Sequence, residues 1–365
     1  MLEFINEELE QLKKSGLYRK LRTIEKVNGS RITMGGKEYV NFCSNDYLGL
    51  AQHPKVKEKA IAIIKDFGFG AGASRLISGN TIIHEELEKR IAKFKGTEAA
   101  LIFPTGYMAN LGTITALVDE NDTVIIDRLN HASIIDACKL SKAKLQVYPH
   151  KDMPALEKIL ARSEKYRRRL IITDAVFSMD GDISPVAEIA KLGKAYRAIT
   201  MTDDAHATGV VEIEGKADIV MGTLSKAVGS LGGFIAGSAE LIDYLRNKAR
   251  SFIYSTALPP AACAASLAAL EIMESEPELR QKLRENIRLI RQDAESAIIP
   301  IIIGDATETM RISQKLFEQG IFVSAIRPPT VAKGESRLRI TVSALHSRVE
   351  VEQLSLLIKK ITKDA

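Results

Sequence analysis

The sequence DIVMGTLSKAVGSLGGFIAGS, from Asp218 to Ser238, holds one lysine between two apolar runs. Ile219 to Met221 precede Lys226, and a glycine-rich turn and then Phe234 to Ala236 follow it. Apolar runs of this kind predict strands that are covered on both faces. An ammonium group in apolar surroundings loses hydration, which favours the neutral, nucleophilic amine. We therefore interpret Lys226 as a candidate for a Schiff base with an aldehyde cofactor, against the alternative of an ordinary surface lysine on a turn.

Apolar strands and helices alternate through the middle of the chain. The predicted strands are Ala99–Phe103, Thr123–Asp127, Lys144–Tyr148, Leu170–Thr173, Ile199–Thr202, Ile219–Met221 and Phe234–Ala236. Helices are predicted between most of them, over Tyr107–Val118, Ser133–Leu140, Met153–Arg162 and Pro185–Tyr196. This alternation predicts an α/β fold with a mostly parallel seven-stranded sheet flanked by helices.

The chain of 365 residues is long enough for two domains. We predict an N-terminal helix and hairpin over residues 1–45, a large α/β domain over 46–275 and a small α+β domain over 276–365. Within the last of these, the pattern predicts a long charged helix over Glu276–Ala297 and a strand over Phe322–Ala325.

Composition argues against several classes of protein. The net charge is only +5, and no basic stripe alternates with aromatic residues, so we expect no nucleic-acid partner. Three separated cysteines without a CxxC pair indicate neither disulfides nor a zinc site, and we expect no metal. No apolar run reaches the length of a membrane span, and the N-terminus does not resemble a signal peptide. We therefore expect a cytoplasmic protein without a membrane partner.

Functional side chains follow the predicted strands at their carboxyl ends, where parallel sheets collect ligands. These candidates are Gly106 and Tyr107 at a helix start, His131, Asp174, Ser178, Asp203, His206, Thr223 and Lys226. A pyridoxal phosphate site needs a lysine, an acid for the pyridine nitrogen, contacts for the phosphate and a group against the ring. Asp203 suits the acid, and Gly106 with Tyr107 suits the phosphate because helix N-termini favour anions. Taken alone, Asp203 also suits a turn or a helix cap, and His131 also suits an ordinary loop.

Six motifs resemble those of the α-oxoamine synthases between about Leu21 and His346. They are SNDYLGL (44–50), DRLNHAS (127–133), VFSMDGD (176–182), DDAHATG (203–209), GTLSKAVG (222–229) and RPPTVAKGESRLRIT (327–341). Members of this family are fold-type I pyridoxal phosphate enzymes that condense an amino acid with an acyl thioester and release carbon dioxide. The resemblance therefore implies an acyltransferase with pyridoxal 5'-phosphate as its cofactor.

The resemblance also implies a role for each matching residue. Lys226 forms the Schiff base, Asp203 pairs with the pyridinium, His131 stacks on the ring, and His206 and Ser178 lie beside the phenolic oxygen. Gly106, Tyr107 and Thr223 contact the cofactor and its phosphate. Ser255 and Thr256 reach the phosphate of the neighbouring subunit in a homodimer. Arg339 holds the amino-acid carboxylate, Arg19 and Thr330 bind the acyl substrate, and Asn45 positions substrate.

Within the family, the loop Arg327–Val331 resembles that of members that join L-alanine to pimeloyl-CoA or to a pimeloyl carrier protein. Glycine C-acetyltransferases share nearly all of the motifs and remain the alternative, as does a promiscuous synthase. A non-catalytic binding subunit is a further alternative, against which Lys226 argues. The segment from Gly209 to Lys226 is shorter than in relatives, and Asp174 stands where some members carry glutamate.

Overall fold

The computed structural model describes the backbone of residues 2–363 and the side chains of residues 2–360. The strands are β1 (Lys26–Asn28), β2 (Arg31–Met34), β3 (Lys37–Asn41), β4 (Ala99–Phe103), β5 (Thr123–Asp127), β6 (Lys144–Tyr148), β7 (Arg169–Asp174), β8 (Ile199–Asp203), β9 (Ile219–Thr223), β10 (Gly233–Gly237), β11 (Ile298–Gly304), β12 (Ile321–Phe322), β13 (Ser324–Ile326) and β14 (Ser336–Thr341). The helices are α1 (Glu3–Lys14), α2 (Pro54–Phe67), α3 (Ile82–Lys95), α4 (Gly106–Leu117), α5 (Ala132–Ser141), α6 (Met153–Ala161), α7 (Val186–Ala195), α8 (Ala239–Lys248), α9 (Arg250–Ile253), α10 (Pro260–Ser275), α11 (Glu278–Ile290), α12 (Ala306–Glu318) and α13 (Arg348–Lys363).

A seven-stranded sheet forms the centre of the larger part of the chain. Its strand order is β4-β10-β9-β8-β7-β5-β6, and every pair is parallel except the two that β10 makes. All five residues of β5, β9 and β10 are buried, as expected for strands that have helices on both faces. The predicted mostly parallel sheet is therefore confirmed, strand by strand.

Two apolar clusters lie on this sheet. The larger cluster includes Leu101, Ile126, Ile172 and Ile235, packed with residues of α4, α5 and α8. The other includes Ile125, Ile171 and residues of α6 and α7. Because Ile125 and Ile126 point to opposite faces of one strand, β5 is anchored from both sides. The carboxyl ends of the central strands are thus held rigidly.

Contacts divide the chain into two compact units. One unit comprises residues 2–49, 179–181 and 280–363, and the other comprises residues 50–178 and 182–279. The first unit contains two small sheets, ordered β1-β2-β3-β12 and β11-β14-β13. The predicted segments 1–45 and 276–365 fall largely within this one unit, and residues 1, 364 and 365 lie outside the described range.

Two predicted elements of the smaller unit are wrong in extent. The helix predicted over Glu276–Ala297 ends at Ile290. Beyond it, Ser296 accepts from the nearby Ile298 N–H and donates to the carbonyl of Gly181, which is distant in the chain. The strand predicted over Phe322–Ala325 is two strands in different sheets. β12 pairs with β3 in parallel, whereas β13 pairs with β14 in antiparallel fashion.

Three further properties bear on the expected class of protein. Among residues 2–363, every helix is too short or too polar to cross a lipid bilayer. Over the same range, His, Cys, Asp and Glu side chains form no group of three that could hold a metal ion. Cys43, Cys138 and Cys263 are all free thiols.

Candidate active site

A cavity of about 210 Å³ opens at the carboxyl ends of the central strands. Its walls come from the carboxyl ends of β7, β8 and β9 and from the segments that follow β4, β5, β8 and β9. The lining residues are Thr105, Gly106, Tyr107, His131, Ser133, Asp174, Asp203, Ala205, His206, Met221, Thr223, Ser225 and Lys226. Seven of the residues predicted from the sequence for a cofactor thus line one cavity. They are Gly106, Tyr107, His131, Asp203, His206, Thr223 and Lys226.

Lys226 lies in the turn after β9, half-buried, with its amine 2.8 Å from Nε2 of the buried His206. Gly229 completes this turn by donating its N–H to the Lys226 carbonyl, at a φ of 70°. A Cβ at Gly229 would lie 2.2 Å from the Ala51 nitrogen, so only glycine fits. The turn therefore fixes the lysine where its amine and the imidazole can exchange a proton.

Asp203 ends β8 and is 4% exposed. One carboxylate oxygen accepts from the Ala205 N–H at 2.9 Å, and the other accepts from Asn110 Nδ2 at 2.8 Å. The same Asn110 nitrogen donates to Ser133 Oγ at 2.9 Å, and Ser133 Oγ lies 2.8 Å from His131 Nδ1. A hydrogen-bonded chain therefore links the acid to the imidazole on the other side of the cavity.

Sequence reasoning missed Asn110 and Ser133. Asn110 is fully buried within α4, whose sequence GYMANLGTITAL is otherwise apolar or weakly polar. A buried amide costs free energy unless it is hydrogen-bonded, so a lone asparagine in such a helix indicates a partner. That signal was present in the sequence, but nothing in it identified Asp203 as the partner.

Asp174 ends β7 and lies directly beside Asp203 in the register of the sheet. Burial, reinforced by the neighbouring Asp203 carboxylate, raises the pKa of Asp174 well above its usual range. Asp174 Oδ1 also accepts from the His131 N–H at 3.1 Å. Asp174 therefore holds the backbone of His131, whose ring is exposed at the cavity, and its raised pKa favours the protonated acid.

The start of α4 lies at one end of the cavity and lines it with Thr105, Gly106 and Tyr107. Thr105 caps the helix by accepting from the Met108 N–H, and the first intrahelical bond is donated by Ala109, so the N–H groups of Gly106 and Tyr107 precede it. A Cβ at Gly233 of β10 would lie 2.5 Å from the Gly106 backbone. The two glycines thus let the helix start approach the sheet, which suits a phosphate group.

Thr223 and Ser225 form the neighbouring wall. Thr223 Oγ1 donates to the Gly232 carbonyl at 2.9 Å and accepts from the Ser225 N–H at 3.2 Å. The Ser225 hydroxyl, 2.8 Å from Thr223 Oγ1, is exposed in the cavity. Ser225 is therefore a second hydroxyl beside the helix start, and the sequence prediction named only the first.

The smaller unit contains a second polar cluster, around Arg339 of β14. Arg339 is 7% exposed and donates to Asn45 Oδ1 at 3.2 Å and to Thr341 Oγ1 at 2.8 Å. The Tyr47 hydroxyl also donates to Asn45 Oδ1, and burial raises the pKa of Tyr47 to about 12. The structure thus brings together Arg339, predicted for the amino-acid carboxylate, and Asn45, predicted to position substrate, and adds Tyr47.

A groove of about 900 Å³ in the same unit is lined by both residues predicted for the acyl substrate, Arg19 and Thr330. Its floor includes Met34, Met310 and other apolar side chains. The guanidinium of Arg22, another lining residue, lies 4.5 Å from the Phe317 ring. None of the described residues that line the groove is acidic.

Three predicted cofactor residues do not line the cavity in the described chain. Ser178 lies in the loop after β7, half-buried. Ser255 and Thr256 follow α9, where Thr256 pairs with Ser74 in an isolated bridge. Their predicted contact is with the phosphate of a neighbouring subunit, so it stays a prediction for the assembled protein.

Comparison with known proteins identifies the family. Residues 37–356 match the family model described as aminotransferase class I and II. The chain belongs to this family. It is 50% identical over 380 residues to the 8-amino-7-oxononanoate synthase of Citrifermentans bemidjiense, covering 98% of this chain and 97% of that protein. It is 47% identical over 384 residues to the 8-amino-7-oxononanoate synthase of Thermoanaerobacter pseudethanolicus, covering 99% and 97% respectively.

A solved structure supports the same assignment. A serine palmitoyltransferase variant from S. paucimobilis with bound PLP matches with a TM-score of 0.93 and 28% identity, over 100% of this chain and 98% of that chain. The predicted fold-type I architecture and the predicted family are therefore confirmed.

The cavity residues fit pyridoxal phosphate by their chemistry. The helix start at Gly106 suits the phosphate, and the Lys226 amine suits the aldehyde. Asp203 is a buried carboxylate that accepts two hydrogen bonds, which suits the pyridinium nitrogen. A side chain at Gly106 would contact Met221 at 3.0 Å and occupy the space between the helix start and the sheet.

Proposed function

We propose that this chain is a pyridoxal phosphate-dependent acyltransferase that joins L-alanine to a pimeloyl thioester. The products are 8-amino-7-oxononanoate, the free thiol and carbon dioxide, a step of biotin synthesis. The observation that carries the proposal is the Lys226 amine, 2.8 Å from His206, in a cavity that also contains the buried acid Asp203. The two curated relatives, matched over nearly the whole chain and named 8-amino-7-oxononanoate synthase, support this choice of substrates.

Each cavity residue has a role toward the cofactor. Pyridoxal phosphate, when bound, supplies an electron-withdrawing ring that stabilises negative charge at the amino-acid Cα. Lys226 would hold the cofactor through its aldehyde, and its amine, held 2.8 Å from His206 Nε2, would accept the Cα proton of the amino acid. Asp203, kept in position by Asn110, accepts from the pyridine nitrogen. His131, which lines the cavity, would pack on the ring and limit the access of water to it.

The substrates bind through the smaller unit in this proposal. The fork of Arg339 suits the planar carboxylate of alanine, and Asn45 and Thr341 fix the orientation of that fork. Arg19 and Thr330 line a groove that combines an apolar floor with cationic sides. Such a groove suits an acyl chain that ends in a carboxylate, because the chain is apolar and its end is anionic.

We further propose a homodimer, with Ser255 and Thr256 donating to the phosphate of the neighbouring site, and a cytoplasmic location. The exposure of Thr256 supports the first point, and the three free cysteines support the second. The glycine-rich loop that Thr256 pairs with, at Ser74, is a second candidate surface for the neighbouring subunit.

Thiol release with matched substrate pairs tests the proposed function. Pimeloyl-CoA and acetyl-CoA are each combined with L-alanine and with glycine, and pimeloyl carrier protein is compared with pimeloyl-CoA. We expect turnover with a pimeloyl thioester and alanine, and none from Lys226→Ala. Turnover with acetyl-CoA and glycine alone would instead assign a glycine C-acetyltransferase.

A further inference from the structure

Two loops at the rim of the sheet carry residues of the proposed site. The loop after β5 runs from Asp127 to His131, and the loop after β7 contains Ser178 and leads to Asp182. His150, which follows β6, lies between these loops and does not line the cavity. Its position allows its side chain to contact both loops.

Both ring nitrogens of His150 face carboxylates. Nδ1 lies 3.1 Å from Asp127 Oδ1, and Nε2 lies 2.9 Å from Asp182 Oδ2. An ionised carboxylate only accepts hydrogen bonds, so both nitrogens donate and the ring is an imidazolium. The pKa supports this state. Burial lowers the pKa of His150, but the hydrogen bonds to Asp127 and Asp182 outweigh burial and raise it to about 9.

Neighbouring groups strengthen the same bridge. Lys151 donates its N–H to Asp127 Oδ2 at 2.9 Å and its amine to Asp182 Oδ2 at 3.0 Å. The edge of the His150 ring packs on Phe177, with ring centroids 4.4 Å apart. The charged and titratable groups that face the imidazole are therefore Asp127, Asp182 and Lys151.

Asp127 connects His150 to the turn that precedes His131. Its carboxylate is 1% exposed, and Oδ1 accepts from the Leu129 N–H at 2.8 Å while its carbonyl accepts from the Asn130 N–H. These bonds form the turn that ends at His131. On the other loop, the Asp182 carbonyl accepts from the Phe177 N–H at 3.1 Å, next to Ser178. A single side chain thus joins the turn before His131 to the turn that contains Ser178.

We propose that His150 is a positioning residue that ties these two loops together and so holds the His131 ring against the cofactor. The inference rests on the proposed function only in assigning His131 and Ser178 to a cofactor site. It does not depend on which acyl thioester the protein uses. Because His150 does not line the cavity, it acts through the loops.

Amide hydrogen exchange of the cofactor-loaded protein tests the bridge without substrate. In His150→Gln, the one amide nitrogen can donate to only one side of the bridge, and the amide oxygen, which only accepts, faces the other carboxylate. We expect exchange to rise about tenfold in both segments, 127–131 and 176–182, because local opening becomes easier in each. His53→Gln is the matched control, since His53 also faces a carboxylate, Glu276, at 3.8 Å, and we expect no change at the rim.

Cofactor affinity and catalysis provide the second readout. We expect His150→Gln to weaken pyridoxal phosphate binding and to lower kcat/KM about 10- to 100-fold, with KM for alanine little changed, because misplacement of about 1 Å has this effect on rate. In the wild type, the bridge is complete below the ordinary pKa of histidine and is lost as pH rises through about 9, so the exchange difference disappears at pH 10.

A second variant keeps the test decisive if His150→Gln does not fold. Asp182→Asn changes a partly exposed side chain and leaves the pair between His150 and Asp127 intact. We expect amide exchange to rise in the same two segments. The double variant should show no faster exchange than His150→Gln alone. Exchange that rises only beside residue 150, or rim segments that match the wild type at pH 7 in either folded variant, would overturn the proposal.

Discussion

The rim of the seven-stranded sheet and the groove of the smaller unit are built in different ways. At the rim, Asp203 and Asn110 are buried, lie on regular elements and are bonded to each other. In the groove, Arg19 and Thr330 are exposed and lie outside any helix or strand. The rim residues are therefore buried and held by regular elements, whereas the two predicted acyl-binding residues are exposed side chains on irregular segments.

This contrast predicts that the rim determines the chemical step and that the groove determines the choice of acyl substrate. Preorganised groups in a buried site stabilise developing charge without reorganising, which is what cofactor chemistry needs. Exposed side chains contribute less free energy per contact because water and salt screen them. Substitutions at the rim should therefore affect the chemical step strongly, and substitutions in the groove should affect acyl binding mildly.

Loss of the lysine amine should have the largest effect. Lys226→Ala removes both the group that binds the aldehyde and the proposed base, so kcat should fall more than about 1000-fold. The visible absorption of the bound cofactor should shift as well. Lys248→Ala, an exposed lysine in α8, is the control and should behave as wild type. Near-normal turnover by Lys226→Ala would show that the rim does not carry the chemical step.

Loss of the buried Asn110 amide should have the second largest effect on activity. Asn110→Leu has a similar volume but removes the donor to Asp203 Oδ2 and to Ser133 Oγ, which costs about 1–3 kcal/mol. We expect kcat/KM to fall about 10- to 100-fold and cofactor affinity to fall with it. Asn247→Leu on the exposed face of α8 is the control. If affinity and kcat/KM were both unchanged, the chain from Asp203 to His131 would have no role.

Replacement of the arginine fork should act mainly on alanine. Arg339→Lys keeps the charge but cannot bond Asn45, Thr341 and a carboxylate together, because an ammonium has no planar fork. We expect KM for alanine to rise about 10-fold, with a smaller change in kcat. Initial rates over a range of alanine concentrations measure both. The exposed Arg311→Lys is the control, and an effect on kcat alone would argue against the assigned role.

Neutralisation of the groove should have a smaller effect. Arg19→Gln removes an exposed charge, so KM for the pimeloyl thioester should rise only about 2- to 5-fold. The difference from wild type should shrink at high salt, since salt screens exposed charges. Rates at two ionic strengths measure this, with the exposed Lys37→Gln as control. A loss as large as that of Asn110→Leu would remove the distinction between rim and groove.

The smallest effect on activity should come from Asp174→Asn, which mimics the protonated acid and still accepts from the His131 N–H. We expect activity within about threefold of wild type. Because the folded-state pKa of Asp174 is raised, its stabilising contribution is complete below the unfolded pKa and is lost as pH rises.

The effect of Asp174→Asn on thermal stability should therefore depend on pH. Asp174→Asn should melt at a higher temperature than wild type at pH 8, and the gain should shrink toward pH 4. Thermal melts across this range measure the gain, with the exposed Asp243→Asn as control. A gain that is larger at pH 4 than at pH 8 would show that Asp174 is ionised in the folded protein.

Most of the sheet and its rim could be predicted because both depend on local patterns. Apolar runs mark the strands, and a polar residue at the end of each run marks the rim, as at Asp203. The bond from Asn110 to Asp203 and the bridge made by His150 join residues far apart in the chain, so periodicity contains no information about them. The contact of Ser296 with Gly181, beyond the early end of α11, is likewise tertiary.

Val323 alone separates the strand that pairs with β3 from the strand that pairs with β14. The hairpin of β2 and β3 and the strand that bears Arg339 are therefore joined by one short piece of backbone. An insertion that shifts the register of the hairpin would therefore displace, through Val323, the strand that carries Arg339. We predict that the orientation of the Arg339 guanidinium depends on the length of this N-terminal hairpin, although β2 and β3 contain none of the predicted site residues.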